Sequence, residues 1–261
     1  MSRAHTPSLF PDAEVKPKAP VAKRLAFDIE IANVFELAPG EDLERHGPFD
    51  ISCAAIATDR GEVRHWFKQD AAGKPLRCLD AEGASDLLSY LRNAQLAGVQ
   101  VFAWNGLSFD VRWLGWAARD MRLAAQVALD LYDPMFQFVV QRGFPIGLAA
   151  VADGLGIEQK KLMHGSDAPK QWAAGNHALV LEYVAGDCQI TERVAARISE
   201  LGEVRWRTKK GGVSSEPMPK LERVRDLLHR PQPDVSWMSE PIRREKFYEW
   251  LVQHAELQAH S

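Results

Sequence analysis

Four carboxylates stand in short stretches whose residue types could do chemistry together. In LAFDIEIA, residues 25 to 32, apolar and polar side chains alternate as they do on a strand. Asp28 and Glu30 are two apart and share one face, with Leu25, Phe27, Ile29 and Ile31 on the other. Ala26 and Ala32, on the acid face, are small, as suits a face covered by another element. In WNGLSFDVRWL, Trp104 ends an apolar run, Asn105 and Gly106 make a turn, and Asp110 falls in the first turn of a helix. In LEYVAGDCQIT, Tyr183 and Asp187 are four apart and stack on one helical face among apolar neighbours. Taken singly, these are a wet strand face, an acid favoured by the helix dipole, and a carboxylate at the edge of a buried face. Taken together they are sharper. If the four acids converge, their repulsion requires divalent cations, since no Lys or Arg falls within the motifs except Arg112. An all-oxygen carboxylate set suits Mg²⁺ or Mn²⁺, and two such ions about 3.5–4 Å apart form the clamp used for in-line phosphoryl displacement.

These residues need a scaffold, and the chain supplies one. DISCAAIAT and EVRHWF read as two more strands joined by the turn DRG at 59 to 61, making a three-stranded meander with the first. Residues 83 to 96 predict an amphipathic helix capped near Ser85 or Asp86, and VQVFAW a buried strand. VALDLYD reads as a short strand, after which Asp133 before Pro134 starts a helix as its cap. A long helix over about 176 to 201 closes the compact part. Strands first as a meander, then alternating with helices, predict an α/β domain: a mixed sheet, antiparallel then parallel, with helices on both faces.

The 261 residues suit one large domain with an appendage. Residues 1 to 23, rich in Pro and Lys, are expected to be a disordered arm, 24 to 202 the domain, and 203 to 261 a basic hairpin and helical extension. Net charge is −3, so a nucleic-acid partner must be held by a local basic patch. The hairpin RWRTKK offers one: Arg205, Trp206, Lys209 and Lys210 could stack on a base and neutralise phosphates, or form an ordinary solvated turn. Cys53, Cys78 and Cys188 have neither zinc nor disulfide spacing and fit a reducing compartment. The N-terminus lacks a secretory h-region and no apolar run reaches a membrane span, so a cytoplasmic protein with no membrane partner is expected.

The three acidic stretches resemble the motifs of the DEDD-type 3′–5′ exonucleases of the ribonuclease H-like superfamily. Asp28 and Glu30 match the D-x-E motif, and Asn105, Phe109 and Asp110 the N-x2–3-[FY]-D motif. Tyr183 and Asp187 match Y-x3-D; Glu182 stands where the histidine subclass needs His, so the likeness is to the tyrosine subclass, which includes polymerase proofreading domains. HGSDAPKQW, residues 164 to 172, is similar to stand-alone bacterial and phage members. Ile31 stands where many members have Thr, and Trp104 where His or Gly often precedes the Asn; neither removes a ligand.

The resemblance implies a ribonuclease H-like fold over about residues 24 to 200 and two Mg²⁺ or Mn²⁺ ions. Asp28 would bridge both ions, Glu30 and Asp187 would complete the one carrying the attacking water, and Asp110 would hold the other near the leaving oxygen. Tyr183 would orient the water, while Asn105, Trp104 and Phe109 would meet the substrate. The implied reaction is hydrolysis of the 3′-terminal phosphodiester of a single-stranded nucleic acid, DNA before RNA, releasing a nucleoside 5′-monophosphate. An RNA-directed or endonucleolytic relative, and an inert nucleic-acid-binding module, are the competing readings. The sequence does not point to a particular polymerase or helicase partner.

Overall fold

The structure is a computed structural model that describes residues 22–38, 40–159 and 162–255. The disordered arm expected over 1 to 23 therefore lies, for residues 1 to 21, outside the described residues. The chain forms a mixed α/β fold around a four-stranded sheet, ordered β3-β2-β1-β4. The strands are β1 (Arg24–Ile31), β2 (Ile51–Thr58), β3 (Val63–Trp66) and β4 (Gln100–Phe102). The meander β1-β2-β3 is antiparallel and β4 runs parallel to β1.

The alternation in β1 divides the molecule into two layers. Leu25, Phe27, Ile29 and Ile31 enter the larger core. There they meet α1 (Ala81–Leu96), α2 (Asp110–Ala118) and α3 (Met121–Leu129), through Leu87, Leu88 and Leu91, Val111 and Leu114, and Ala124 and Ala128. The other face carries Ala26, Asp28 and Glu30, and is crossed by α7 (His177–Leu201). Between α1 and α7 the chain also forms α4 (Pro134–Arg142), α5 (Leu148–Gly154) and α6 (Ala168–Ala173). Small side chains let α7 approach the sheet: Val180, Val184, Ala185 and Cys188 pack on Cys53, Ala55 and Ala57 of β2, and Cys188 Sγ donates to the Ala55 carbonyl at 3.2 Å.

Two sequence expectations are corrected. VALDLYD is not a strand: its first three residues finish α3, which Asp120 starts by accepting the Leu123 N–H. The upstream residues MRLAAQ are mostly good helix formers, and Ala124 packs so closely on α2 that a Cβ on Gly115 would lie 2.3 Å from the alanine methyl. Only Tyr132 bridges, parallel to Phe102 and antiparallel to Arg223, so β4 is the one parallel strand of ladder length among the described residues. The cap of α1 is Asp80, not Ser85 or Asp86; its carboxylate accepts the Gly83 N–H at 2.9 Å, and the helix begins two residues before the expected start.

Beyond α7, β5 (Glu203–Arg207) and β6 (Val213–Pro217) form a hairpin. The next segments, α8 (Val224–Leu227) and α9 (Glu249–Ala255) with the turn before it, return to the main core with Val224, Leu227, Phe247, Trp250 and Leu251. No helix among the described residues is long and apolar enough to cross a membrane.

The tight seat of α7 yields a test. Ala55 is fully buried and lies opposite Asp28 in the β1–β2 register. Ala55→Leu is expected to lift α7 from the sheet and lower stability by about 1–3 kcal/mol. A shift of the urea midpoint checks this.

Candidate metal centre

The sheet and α7 bring the acids together. Asp28 and Glu30 project from β1 toward α7, and Asp187, one residue before the buried Cys188, meets them. One carboxylate oxygen from each of Asp28, Glu30 and Asp187 lies within 4.8 Å of the other two. The β1 register shifts between Glu30 and Ile31, an irregularity beside the cluster.

Asp110 arrives by a different route. β4 pairs only with Arg24, Leu25 and Ala26 of β1, so the edge of β1 beyond them is open on that side. The chain turns through Asn105 and Gly106 and enters α2 at Asp110, whose Oδ1 accepts the free Ile29 N–H at 3.1 Å. This bond sets Asp110 beside Asp28, and the two carboxyls are hydrogen-bonded to each other. The turn needs its sequence. Asn105 has φ +67°, a left-handed value that Asn tolerates better than most residues. At Gly106 a Cβ would fall 2.4 Å from that of Ala103.

Crowding acids in a buried place raises their proton affinity. Burial pushes Asp28 well above the ordinary carboxylate range, and the charges of Asp110, Glu30 and Asp187 push it further. Glu30 is raised likewise, by burial and then by Asp187 and Asp110. Burial raises Asp110 to about 7 against its hydrogen bonds from Asp28 and from the Ile29 N–H. Asp187 is raised by burial, and its hydrogen bond from the Tyr183 hydroxyl opposes this. Tyr183 itself is held above the usual phenol value by burial and by Asp187, so at neutral pH it keeps its proton and can donate a hydrogen bond. Arg112 does not neutralise the acids: it pairs with Glu44 at 3.1 Å and lies over the Trp113 ring. Three of these carboxylates could hold a metal ion, and the all-oxygen, cation-free character of the set fits a hard divalent cation.

Two hollows flank the cluster. One, of about 710 Å³, is lined by Tyr183 and Asp187 with Asp153, Glu158 and His164. The other, of about 280 Å³, is more apolar and is lined by Glu30, Phe35, Leu43 and Phe109. Gly165 borders both, close enough to the Tyr183 hydroxyl that a Cβ there would stand 3.4 Å away.

The remaining residues singled out in the sequence are dispersed. Trp104 packs between the two larger cores, its indole N–H engaged by the Ile146 carbonyl. Trp172, the last residue of the HGSDAPKQW stretch, is buried and donates to the Leu76 carbonyl. In the hairpin, Arg205 pairs with Glu203 and Trp206 packs edge-on against Phe138. Lys209 and Lys210 stand exposed at the tip. Asp133 caps α4 by accepting the Phe136 N–H, and it also accepts N–H groups from Asn105 and Leu107. The Asp-Pro pair signals the cap in sequence; nothing local signals the other two bonds.

No protein-family model and no curated protein matches the chain. Among solved structures it shows a weak likeness to the family B DNA polymerase from the hyperthermophilic archaeon Pyrobaculum calidifontis. Identity is 16% and the TM-score 0.44; the match covers 70% of this chain and 24% of the polymerase chain.

The raised carboxyls link stability to pH. Each binds its proton more tightly when folded than when unfolded, so its contribution is full below the unfolded value and is lost as pH rises; for Asp110 the loss runs through about 7. A cation that displaces those protons should therefore stabilise more at about pH 7.5 than at about pH 5. At a hundredfold excess over its Kd, Mn²⁺ should add about 2.7 kcal/mol, roughly 5–10 °C in Tm. Thermal unfolding in Mn²⁺ and in EDTA across this pH range measures the difference; a gain that does not vary with pH would contradict cation binding at these acids.

Proposed function

We propose that the chain is a divalent-metal-dependent 3′–5′ exonuclease of the DEDD type, tyrosine subclass, with a ribonuclease H-like fold. In this reading it hydrolyses terminal phosphodiesters of single-stranded DNA. The observation that carries it is the meeting of three separate sequence motifs at one cluster: Asp28 and Glu30, Asp110, and Asp187 with Tyr183 beside it.

Asp28, Glu30, Asp110 and Asp187 would hold two Mg²⁺ or Mn²⁺ ions. Bound there, such ions supply Lewis acidity and lower the pKa of water, which is what phosphodiester hydrolysis requires. The protein's own groups set the conditions. Asp28 feels the charges of Asp110, Glu30 and Asp187 together, and one of its oxygens lies within 4.8 Å of an oxygen of Glu30 and of Asp187. Ile29 N–H fixes the direction of Asp110, and the Tyr183 hydroxyl lies beside Asp187, close enough to affect its proton affinity. Because Tyr183 keeps its proton, its part is to donate a hydrogen bond and orient a nucleophile; it is not a base. The half-buried Phe109 ring borders the more apolar hollow beside Glu30, where a terminal base would find an aromatic surface.

Asp28→Ala and Asp187→Ala are expected to lower hydrolysis roughly 10³-fold or more, as loss of several kcal/mol of charge stabilisation would, while the fold persists. Tyr183→Phe should cost less, about 10–100-fold, the worth of one hydrogen bond to a charged group. The assay uses 3′- and 5′-labelled single strands of DNA and RNA with Mn²⁺ or EDTA. Wild-type activity in either Ala variant, or products that do not shorten from the 3′ end, would remove the proposal. A preference for the RNA strand would change the substrate and leave the chemistry.

The hairpin gives a separate outcome. If Lys209 and Lys210 meet phosphates, reversing both charges should weaken strand binding and reduce the salt slope by about one unit per lost contact. Titrations at several salt concentrations read this; an unaltered slope means that the tip does not touch the strand.

A further inference from the structure

Asp133 makes more bonds than a helix cap needs. It is 1% exposed, and capping α4 takes only the Phe136 N–H at 3.0 Å. The same carboxylate reaches across to the turn before Asp110, where Oδ1 accepts the Asn105 N–H at 3.2 Å and Oδ2 the Leu107 N–H at 3.1 Å. The turn is gripped from another direction too. The indole N–H of Trp250, on α9, donates to the Leu107 carbonyl at 2.9 Å in a buried bond. Both backbone groups of Leu107 are thus engaged by remote side chains. From that turn the chain runs directly into α2, with the Phe109 N–H bonded to the Asn105 carbonyl and the Val111 N–H to that of Gly106. Any slack in the turn would pass to the Asp110 carboxylate.

We propose that Asp133 and Trp250 are positioning residues that hold the 105–107 turn and so place Asp110 for a cation, which makes the C-terminal segment a working part of the site. This rests on reading the acid cluster as a metal centre. Neither residue touches the reacting atoms. They act as outer partners of a ligand do, by restricting the places it can occupy. The end of the chain around α9 secures the clamp: Phe247, just before the helix, and Leu251, within it, enter the main core, and Lys246 pairs with Asp42 at 2.6 Å.

The test is Mn²⁺ affinity, measured by titration on the full chain, beside a urea midpoint. In Asp133→Asn the amide nitrogen cannot accept, so at least one of the three N–H groups loses its acceptor. The Mn²⁺ dissociation constant should rise roughly 10–100-fold, the usual cost of losing an outer partner. Nuclease activity should fall at low Mn²⁺ and return at saturating Mn²⁺. A merely structural role would lower the urea midpoint and leave the dissociation constant alone, and a folded Asp133→Asn with wild-type affinity overturns the proposal. Should that variant fail to fold, Trp250→Phe decides: it keeps an aromatic ring and removes the donor, and wild-type affinity there is equally fatal. If the wild-type chain binds no Mn²⁺, the metal-centre reading itself falls, an outcome distinct from unchanged affinity in the variants.

Discussion

Repulsion among Asp28, Glu30, Asp110 and Asp187 is the constraint around which this molecule is arranged. Each of the four is held above the ordinary carboxylate range, with burial as the leading cause in every case. A protein gains no stability from such a cluster; it must be over-determined by the surrounding packing. The packing is found on both sides of β1. One face of the strand is anchored by Phe27 and Ile29 in the larger core, and the other lies under a helix seated on alanines and cysteines. A divalent ion is the simplest partner that turns the strain of the cluster into an attraction.

The sheet contributes by what it leaves unpaired. Had β4 continued beside β1, the Ile29 N–H would be part of a ladder. Because β4 ends at Phe102, that N–H is free for Asp110, and the first turn of α2 comes to lie against the strand's acids. The same local departure from regular structure produces the left-handed Asn105 and the crowded Gly106. Irregular backbone here is the means by which a residue 82 positions away from Asp28 in the chain reaches its side.

Aromatic and cationic residues that sequence patterns single out for a ligand have mostly found partners within the protein. Trp104 bonds Ile146, Trp206 packs on Phe138, and Arg205 pairs with Glu203. An aromatic near a motif has a large apolar surface to bury, and the core competes for it. Phe109 is different, since its ring borders one of the two hollows beside the acids.

Local pattern determined the elements that carry their own periodicity. The alternation of residues 25 to 32 implied β1 and the common face of Asp28 and Glu30; apolar spacing implied α7 and the stacking of Tyr183 on Asp187. Where a pattern was short, neighbours overrode it: VAL in VALDLYD joined a helix begun upstream, and Asp80 captured the start of α1 ahead of Ser85. The convergence of the acids, the bonds of Asp133 to the 105–107 turn and the reach of Trp250 to Leu107 were decided by tertiary structure alone. The Asp133 and Trp250 bonds join groups 26 to 143 residues apart, Asp28 and Asp187 are further apart still, and no periodicity along a chain encodes which distant groups a buried carboxylate or indole will meet.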